Sequence, residues 1–311
     1  MLKYIVITGK LLRDALLELR KNDPLRMAGA TAFFTTFALP PILAILIQAL
    51  GLVFDPRTIR IELFKVLTDI LGKDSVVLLT GTLSGFRGIA QNLWITVTGF
   101  IFLIFVATTL FTVIKDSLNQ VWKIRVLVKR SIWYDLGNRL RSIVIILIAG
   151  VLFLVGLLTE GIQAILGKYL DDIRPGIAIY FNGVVSHLVS LFIVTVWFAF
   201  LFHFLPDGQP KWKVTIVGAF VTSLFFTVGK LLLRWLLFQS NISNLYGASG
   251  SVVLLLLFVF YSSLILYYGA AFTKVWSEFK GVEIQPLRHA IHYEVSEVEN
   301  EKEDAVESVQ K

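Results

Sequence analysis

The sequence contains no cysteine and has few charged residues. Without cysteine the chain can form neither a disulfide nor a thiolate metal site. Charged residues make up 16% of the 311 positions, whereas soluble domains contain roughly 25%. Hydrophobic residues make up 56%, and the mean hydropathy is +0.75. A soluble core could not bury so much apolar surface, so lipid must solvate most of the chain.

Several sequence patterns of enzymes are also missing. The chain has no GxxxxGK[ST] loop, so any dependence on ATP would need a partner, and it has no GxSxG nucleophile elbow. The four histidines are scattered, with His187 and His203 in one apolar run and His289 and His292 near the C-terminus. We therefore expect no metal, no cofactor and no enzymatic activity.

Six apolar runs are long enough to cross a bilayer, which takes about 20 helical residues. They cover residues 26–54, 92–125, 140–165, 177–205, 214–238 and 246–276. The second run ends in Trp122, Lys123 and Arg125, which is typical of a cytoplasmic membrane boundary. The sequence therefore predicts an all-α, polytopic integral membrane protein with six transmembrane helices, in a domain that spans residues 26–278.

The N-terminal segment differs from these runs because charged residues interrupt it. No small-residue cleavage site follows, which argues against a cleavable signal peptide. Apolar residues recur at helical spacing within it, at Leu12, Ala15, Leu16 and Leu19. We expect residues 1–25 to form a cytoplasmic interfacial amphipathic helix. A short helix packed on other cytoplasmic loops is the alternative.

Two further segments are too polar to span the membrane. Residues 55–91 carry one apolar stripe and several glycines, which predicts a helical hairpin on the outer membrane surface, with a shallow re-entrant segment at 76–83 as an alternative. Residues 281–311 hold eight acidic and three basic residues. Because this composition has few aromatic residues, we expect 279–311 to be an acidic, disordered cytoplasmic tail.

The distribution of Lys and Arg predicts the orientation of the spans. One set of loops and termini holds 18 of these residues and the alternating set holds 8. The positive-inside rule then places both termini in the cytoplasm. A basic membrane domain of this kind indicates cytoplasmic loops and gives no reason to expect nucleic acid as a partner.

Two adjacent prolines, Pro40 and Pro41, lie near the middle of the first span. Each removes a backbone donor, which leaves carbonyl groups one turn earlier without a partner. One interpretation is a kink that serves packing. The other is a helix break that exposes backbone to a cavity, as in transporters.

Ionisable residues within spans are costly and are candidates for function. Glu160, His187, Lys230 and Arg234 all fall toward the predicted outer half of the membrane. We consider three interpretations: a structural Glu160–Lys230 ion pair with Arg234 reaching the interface, a site for a phosphate or anionic headgroup, and a proton or ion relay through Glu160 and His187. Under the second, these four residues bind substrate.

A second polar group is predicted at the inner side, at Arg26, Lys115, Asp116, Asn119 and Gln120. Basic side chains at this position commonly anchor helices at the cytoplasmic interface. The alternative is an inner gate or a docking place for anionic lipid, because basic pockets between helices suit such headgroups.

Several segments together resemble the YihY/BrkB family of bacterial inner-membrane proteins, formerly labelled ribonuclease BN. They are MAGATAFFTTFALPPILAIL from Met27, SLNQVWKIR from Ser117, FLPD from Phe204 and YGASGSVVLLLLFVFYSSLILYYGAAFTK from Tyr246. The resemblance implies six transmembrane helices, both termini inside and a place in the bacterial plasma membrane. Where such proteins often read GAE in the last helix, this chain has Gly269-Ala270-Ala271.

The family labels, ribonuclease and virulence factor, give no mechanism that these residues support. We expect a transporter or flippase-like protein for an amphipathic anionic substrate, such as a phospholipid or envelope lipid precursor. The alternative is a non-transporting scaffold, whose 55–91 hairpin and acidic tail would bind envelope and cytoplasmic proteins. An enzyme is a third hypothesis. The expected partners are membrane lipids, and the oligomeric state is left open.

Overall fold

The computed structural model describes residues 2–71, 76–77, 79–81, 93–127, 132–173, 177–239 and 250–294. Within these ranges the chain is helical except for turns and short strands at one end of the helix bundle. The helices are α1 (Leu2–Arg20), α2 (Pro24–Leu50), α3 (Pro56–Leu71), α4 (Leu93–Val121), α5 (Ile132–Ile173), α6 (Ile177–Phe204), α7 (Trp212–Gln239) and α8 (Gly250–Phe279). The strands are β1 (Ile124–Val126), β2 (Gly208–Gln209), β3 (Gln285–Pro286) and β4 (Ala290–His292).

This architecture confirms the predicted all-α membrane fold. In the described part of the chain, α2, α5, α6, α7 and α8 each contain a stretch long and apolar enough to cross a membrane. The second predicted span is covered by α4, a helix of 29 residues. The count of six spans stays a prediction, because some side chains at the start of α4 lie outside the described residues.

The prolines of the first span do not break the helix. α2 runs without interruption from Pro24 to Leu50, and both Pro40 and Pro41 are buried inside it. Of the two interpretations of these prolines, the continuous helix agrees with a packing role and not with a break in α2. α2 packs between α4 and α8, and neighbouring helices can hold a proline-containing helix in shape within a membrane.

α1 is a helix within the predicted segment 1–25, over Leu2–Arg20, and it packs along α8. Leu11 and Ala15 are buried against Phe272 of α8. The hydroxyl of Tyr268 donates to the carbonyl of Leu12 at 3.0 Å. The structure therefore places α1 on α8 instead of on cytoplasmic loops.

The predicted outer hairpin is described only in part. Its first half forms α3, whose Leu63 packs with Leu43 of α2, Leu79 and Leu255 of α8. Residues 72–75, 78 and 82–92 lie outside the described residues, so the hairpin and its re-entrant alternative stay predictions.

The folded chain extends beyond the predicted boundary at 279. β4 pairs antiparallel with β1, with Val126 opposite Ala290, and β3 pairs with β2, with Gly208 opposite Pro286. Ile284 and Ala290 are buried in the main core. The composition of residues 279–311 did not indicate this folded segment, because the glutamates that follow it dominate the average. Residues 295–311 lie outside the described residues.

Close packing between α7 and α8 depends on two reciprocal Gly–Thr contacts. A Cβ atom at Gly218 would overlap the Thr273 side chain, and one at Gly269 would overlap Thr222. Each threonine hydroxyl also donates at 2.7 Å to a carbonyl of its own helix, Thr222 to Gly218 and Thr273 to Gly269. Small residues allow such close approach in membranes, where apolar burial alone does not drive helices together.

We predict that Gly269→Ala lowers the free energy of unfolding by about 1–3 kcal/mol, because the added methyl group overpacks the α7–α8 contact. Thermal unfolding of the detergent-solubilised protein measures this loss. Thr222→Ala in the same chain should partly restore stability by removing the overlapping atoms, whereas Thr273→Ala should not. Gly29→Ala is the matched control, because nothing lies within 4 Å of that position. Equal stability of Gly269→Ala and Gly29→Ala would contradict the proposed packing role.

Candidate functional site

One carboxylate lies at the centre of the polar contacts at the strand-bearing end of the bundle. Asp207 follows Pro206 in the turn between α6 and α7, and its side chain is 0% exposed. A buried carboxylate is stable only when charges and hydrogen bonds replace its water. The neighbours of Asp207 are therefore the first candidates for functional residues.

Five side chains form what we call the buried charge cluster: Lys115, Asn119, Arg141, Asp207 and His289. Lys115 Nζ lies 2.9 Å from Asp207 Oδ2, and Asn119 Nδ2 donates to the same oxygen at 2.8 Å. Oδ1 of Asp207 lies 3.0 Å from His289 Nε2 and 3.6 Å from Arg141 Nη1. The cluster thus joins α4, α5, the α6–α7 turn and the segment before β4.

The electrostatics of this cluster favour the ionised carboxylate. Burial acts to raise the pKa of Asp207, but the hydrogen bond from His289, the charge of Lys115 and the hydrogen bond from Asn119 outweigh it. The pKa of Asp207 consequently lies below its ordinary value of 3.8. The carboxylate is therefore negatively charged at neutral pH and neutralises Lys115, which is itself buried.

The backbone of Asp207 is held as firmly as its side chain. Its N–H donates to Asn119 Oδ1 at 2.8 Å, and its carbonyl accepts from the N–H of Leu287 at 2.8 Å. The segment after α8 is further held where the N–H of Tyr293 donates to the carbonyl of Lys123 at 3.0 Å. These bonds fasten the C-terminal strands to the ends of α4 and α6.

A second group of contacts, the turn cluster, surrounds Asn22 between α1 and α2. Asn22 is 1% exposed, and its side-chain amide donates to the carbonyl of Glu18 at 2.8 Å. Lys123 Nζ donates to Asn22 Oδ1 at 3.0 Å, and Gln120 Nε2 donates to the carbonyl of Asn22 at 3.1 Å. Glu18 also pairs with Lys274 of α8 at 2.5 Å. The turn is thereby fixed to both α4 and α8.

Four of the five residues of the predicted inner group contact one of these two clusters, and Asp116 belongs to neither. Lys115 and Asn119 bind Asp207, whereas Gln120 belongs to the turn cluster and accepts from Arg26 at 3.4 Å. Asp116 is exposed on another face of α4. Sequence reasoning missed Asp207 as the centre. The available signal was an acid in the FLPD segment, on a face otherwise rich in Lys and Arg.

The predicted outer group is described only in part. His187 is exposed on α6. Lys230 is half-buried on α7 and has no hydrogen bond or ion pair with any described residue. The side chains of Glu160 and Arg234 lie outside the described residues. The substrate-binding role of these four residues stays a prediction.

A crevice of about 900 Å³ lies where α1, the start of α2, α7 and α8 meet. Most of its lining is apolar, and its charged residues all fall between positions 20 and 26. The lining consists of Leu16, Leu19, Arg20, Asp23, Pro24, Leu25, Arg26, Phe225, Leu264, Ile265 and Tyr268. A cavity with an apolar body and one charged end has the polarity of an amphipathic molecule. Within the described ranges, no three His, Asp or Glu side chains come close enough to hold a metal ion.

Comparison with known proteins identifies the family. The family described as "Virulence factor BrkB" matches residues 15–291. The chain belongs to the BrkB family. The match covers both clusters and every lining residue of the crevice, and it confirms the resemblance drawn from the sequence segments.

Relatives of this BrkB-family protein include UPF0761 membrane proteins from three bacteria. The protein from Albidiferax ferrireducens is 26% identical over 293 residues, which cover 91% of this chain and 67% of the relative. The proteins from Methylibium petroleiphilum and Pseudoalteromonas translucida are 25% and 24% identical, over 83% and 89% of this chain and 61% and 87% of theirs. The chain thus spans about two thirds of the length of the first two. No solved structure matches the chain.

One position in the last helix departs from the GAE segment that the family resemblance implies. Ala271, which stands in place of that glutamate, is a residue of α8 that is 0% exposed and belongs to the main hydrophobic core. Next to it, the carbonyl of Ala270 accepts a hydrogen bond from Trp122 Nε1 at 3.0 Å. Any role of an acid at this position is therefore absent from this chain.

We predict that Asp207→Asn lowers the free energy of unfolding at pH 7 by about 3–5 kcal/mol, because it leaves the buried Lys115 without its counter-charge. Chemical unfolding in detergent measures the loss. Asp14→Asn is the control, because Asp14 pairs with a well-exposed Arg13 at 3.6 Å and such surface pairs contribute about 0–1 kcal/mol.

The pH dependence of this loss follows from the lowered pKa of Asp207. The charged carboxylate stabilises the fold above the unfolded-state pKa of about 3.8, and this contribution disappears as the pH falls through the lower folded-state value. The stability difference between the wild type and Asp207→Asn should therefore shrink as the pH falls below 4. A difference that is absent at pH 7 would refute the role of the cluster.

Proposed function

We propose that this BrkB-family protein binds an anionic amphipathic lipid and moves it between the leaflets of the bacterial plasma membrane, without altering it chemically. The observation that carries the proposal is the crevice at the α1–α2 turn, with its apolar body and charged end. Its volume of about 900 Å³ falls in the range of small-molecule sites, about 300–1,000 Å³.

The apolar body of the crevice is suited to acyl chains. Leu16, Leu25 and Phe225 remain 47%, 67% and 38% exposed although they line a concavity. Lipid chains would cover this surface at little cost, because they are as apolar as the side chains themselves. Leu264 and Ile265 of α8 extend the lining.

The charged end of the crevice is suited to an anionic headgroup. Arg20 and Arg26 both line it, and basic pockets between membrane helices attract anionic lipids. Arg26 is also the one member of the predicted inner group that lines the crevice. By the positive-inside rule we infer that this end, like both termini, faces the cytoplasm.

In this proposal the route to the opposite leaflet follows α7. The helix contributes Phe225 to the crevice and carries Lys230 five residues later, at a rise of about 7.5 Å and about 140° further around the helix axis. Arg234 follows one further turn along. In this proposal the predicted outer group of Glu160, His187, Lys230 and Arg234 receives the headgroup after it leaves the crevice.

We predict that purified protein accelerates the movement of fluorescent anionic phospholipid between leaflets in liposomes. Leu264→Trp should lower the rate roughly tenfold, the effect of about 1.4 kcal/mol, because the larger ring fills the crevice. Leu257→Trp on the same helix is the matched control, since Leu257 lies outside the crevice. Lys230→Ala and Glu160→Ala test the outer group, and wild-type rates for both would remove it from the route.

The alternatives give different results in the same assay. If liposomes with wild-type protein move lipid no faster than protein-free liposomes, transport is wrong and the scaffold hypothesis gains. Mass spectrometry of the recovered lipid tests the proposal that no chemistry occurs. A chemically altered lipid that disappears with a point variant would support an enzyme instead.

A further inference from the structure

The charged end of the crevice consists of three side chains with unequal environments. Asp23 pairs with Arg26 at 3.5 Å, and Arg26 also donates to Gln120 at 3.4 Å. Arg20 forms no hydrogen bond or ion pair with any described residue. The charge of Arg26 is therefore matched within the protein, whereas the charge of Arg20 is open to a ligand.

The backbone at Arg20 is held in place, although its guanidinium makes no hydrogen bond or ion pair with any described residue. Leu19, directly before Arg20, is 5% exposed and Asn22, two residues after it, is 1% exposed, so both residues are packed into the protein. The contacts of the turn cluster hold Asn22 to α4 and α1. A cation on a pre-ordered backbone loses less freedom when it binds an anion.

The other basic residues of the turn do not line the crevice. Lys21 pairs with Glu18 at 3.2 Å, Lys274 pairs with the same carboxylate, and Lys123 binds Asn22. The lining itself holds Arg20, Arg26 and Asp23, which give a net charge of +1. The ligand that this lining neutralises carries one negative charge.

Resting on the lipid binding proposed above, we infer that the crevice selects a glycerophospholipid with a single phosphodiester charge and an uncharged polar terminus, and that Arg20 is the residue that recognises the phosphate. The planar guanidinium matches phosphate oxygens with two parallel hydrogen bonds. The Asp23–Arg26 pair offers both an acceptor and donors to hydroxyl groups. A doubly charged headgroup leaves one charge unmatched, and a zwitterionic headgroup brings a cation toward Arg26.

Comparing the binding of lipids that differ only in headgroup tests this inference. The full chain in neutral detergent is titrated with lipids that have identical pyrene-labelled chains and differ in headgroup: phosphoglycerol, phosphoethanolamine or phosphatidic acid. Energy transfer from tryptophan to pyrene reports binding. The wild type should bind the phosphoglycerol lipid most tightly. Arg20→Gln should weaken that binding about tenfold or more, because it removes one charged hydrogen-bonding partner of the phosphate.

Asp23→Asn should act in the opposite direction. It raises the lining charge to +2 and should shift the preference toward phosphatidic acid. Asp23 has φ 51 and ψ 60, a left-handed conformation that asparagine also adopts readily, so the turn should be preserved. Arg13→Gln on the exposed face of α1 is the matched control and should bind all three lipids as the wild type does.

The outcomes separate this inference from the function on which it rests. If Arg20→Gln binds the phosphoglycerol lipid as tightly as the wild type does while Leu264→Trp abolishes binding, Arg20 does not recognise the phosphate, but lipid binding stands. If Leu264→Trp also binds every lipid normally, the crevice is not the lipid site. Unchanged preference in Asp23→Asn would overturn the charge-matching inference.

Discussion

The buried carboxylate of Asp207 is the constraint on which the strand-bearing end of the structure depends. A charge without water must be compensated locally, and here the compensation comes from α4, α5 and the segment before β4. If any of these elements moved away from the α6–α7 turn, the carboxylate of Asp207 would lose one of its charged partners. The positions of the helix ends, and of the C-terminal strands, are thereby fixed relative to one another.

Within the membrane, packing is specified by small and polar residues because lipid gives apolar side chains no reason to leave it. The Gly–Thr contacts join α7 to α8, and the hydroxyls of Thr31 and Tyr267 lie 2.5 Å apart between α2 and α8. α1 is attached differently, through one apolar cluster and the turn cluster. The crevice lies between α1 and the helices α2, α7 and α8. α1 therefore forms one wall of the crevice and also contributes Arg20 to its charged end.

The sequence predicted five long apolar helices that the structure contains, because a bilayer imposes a one-dimensional rule on length and polarity. It could not predict the continuity of α2 through Pro40 and Pro41, which depends on neighbouring helices. It could not predict the order of residues 285–292, whose partners lie in β1 and β2. Asp207 illustrates the general limit, because its partners Asn119 and His289 lie 88 and 82 positions away. Local composition does not indicate contacts between residues that are so far apart in the sequence.

Movement of one anionic headgroup from the charged end of the crevice to the predicted outer group would explain the basic residues at both places. Lys230 is half-buried in a span without a partner among the described residues, and such a group costs several kcal/mol unless something compensates it. A phosphate arriving from Arg20 along α7 would supply that compensation transiently. A protein that only anchored partners would need neither an unpaired guanidinium beside an apolar crevice nor a half-buried cation further along α7. Transport of an anionic lipid therefore accounts for both features with one ligand.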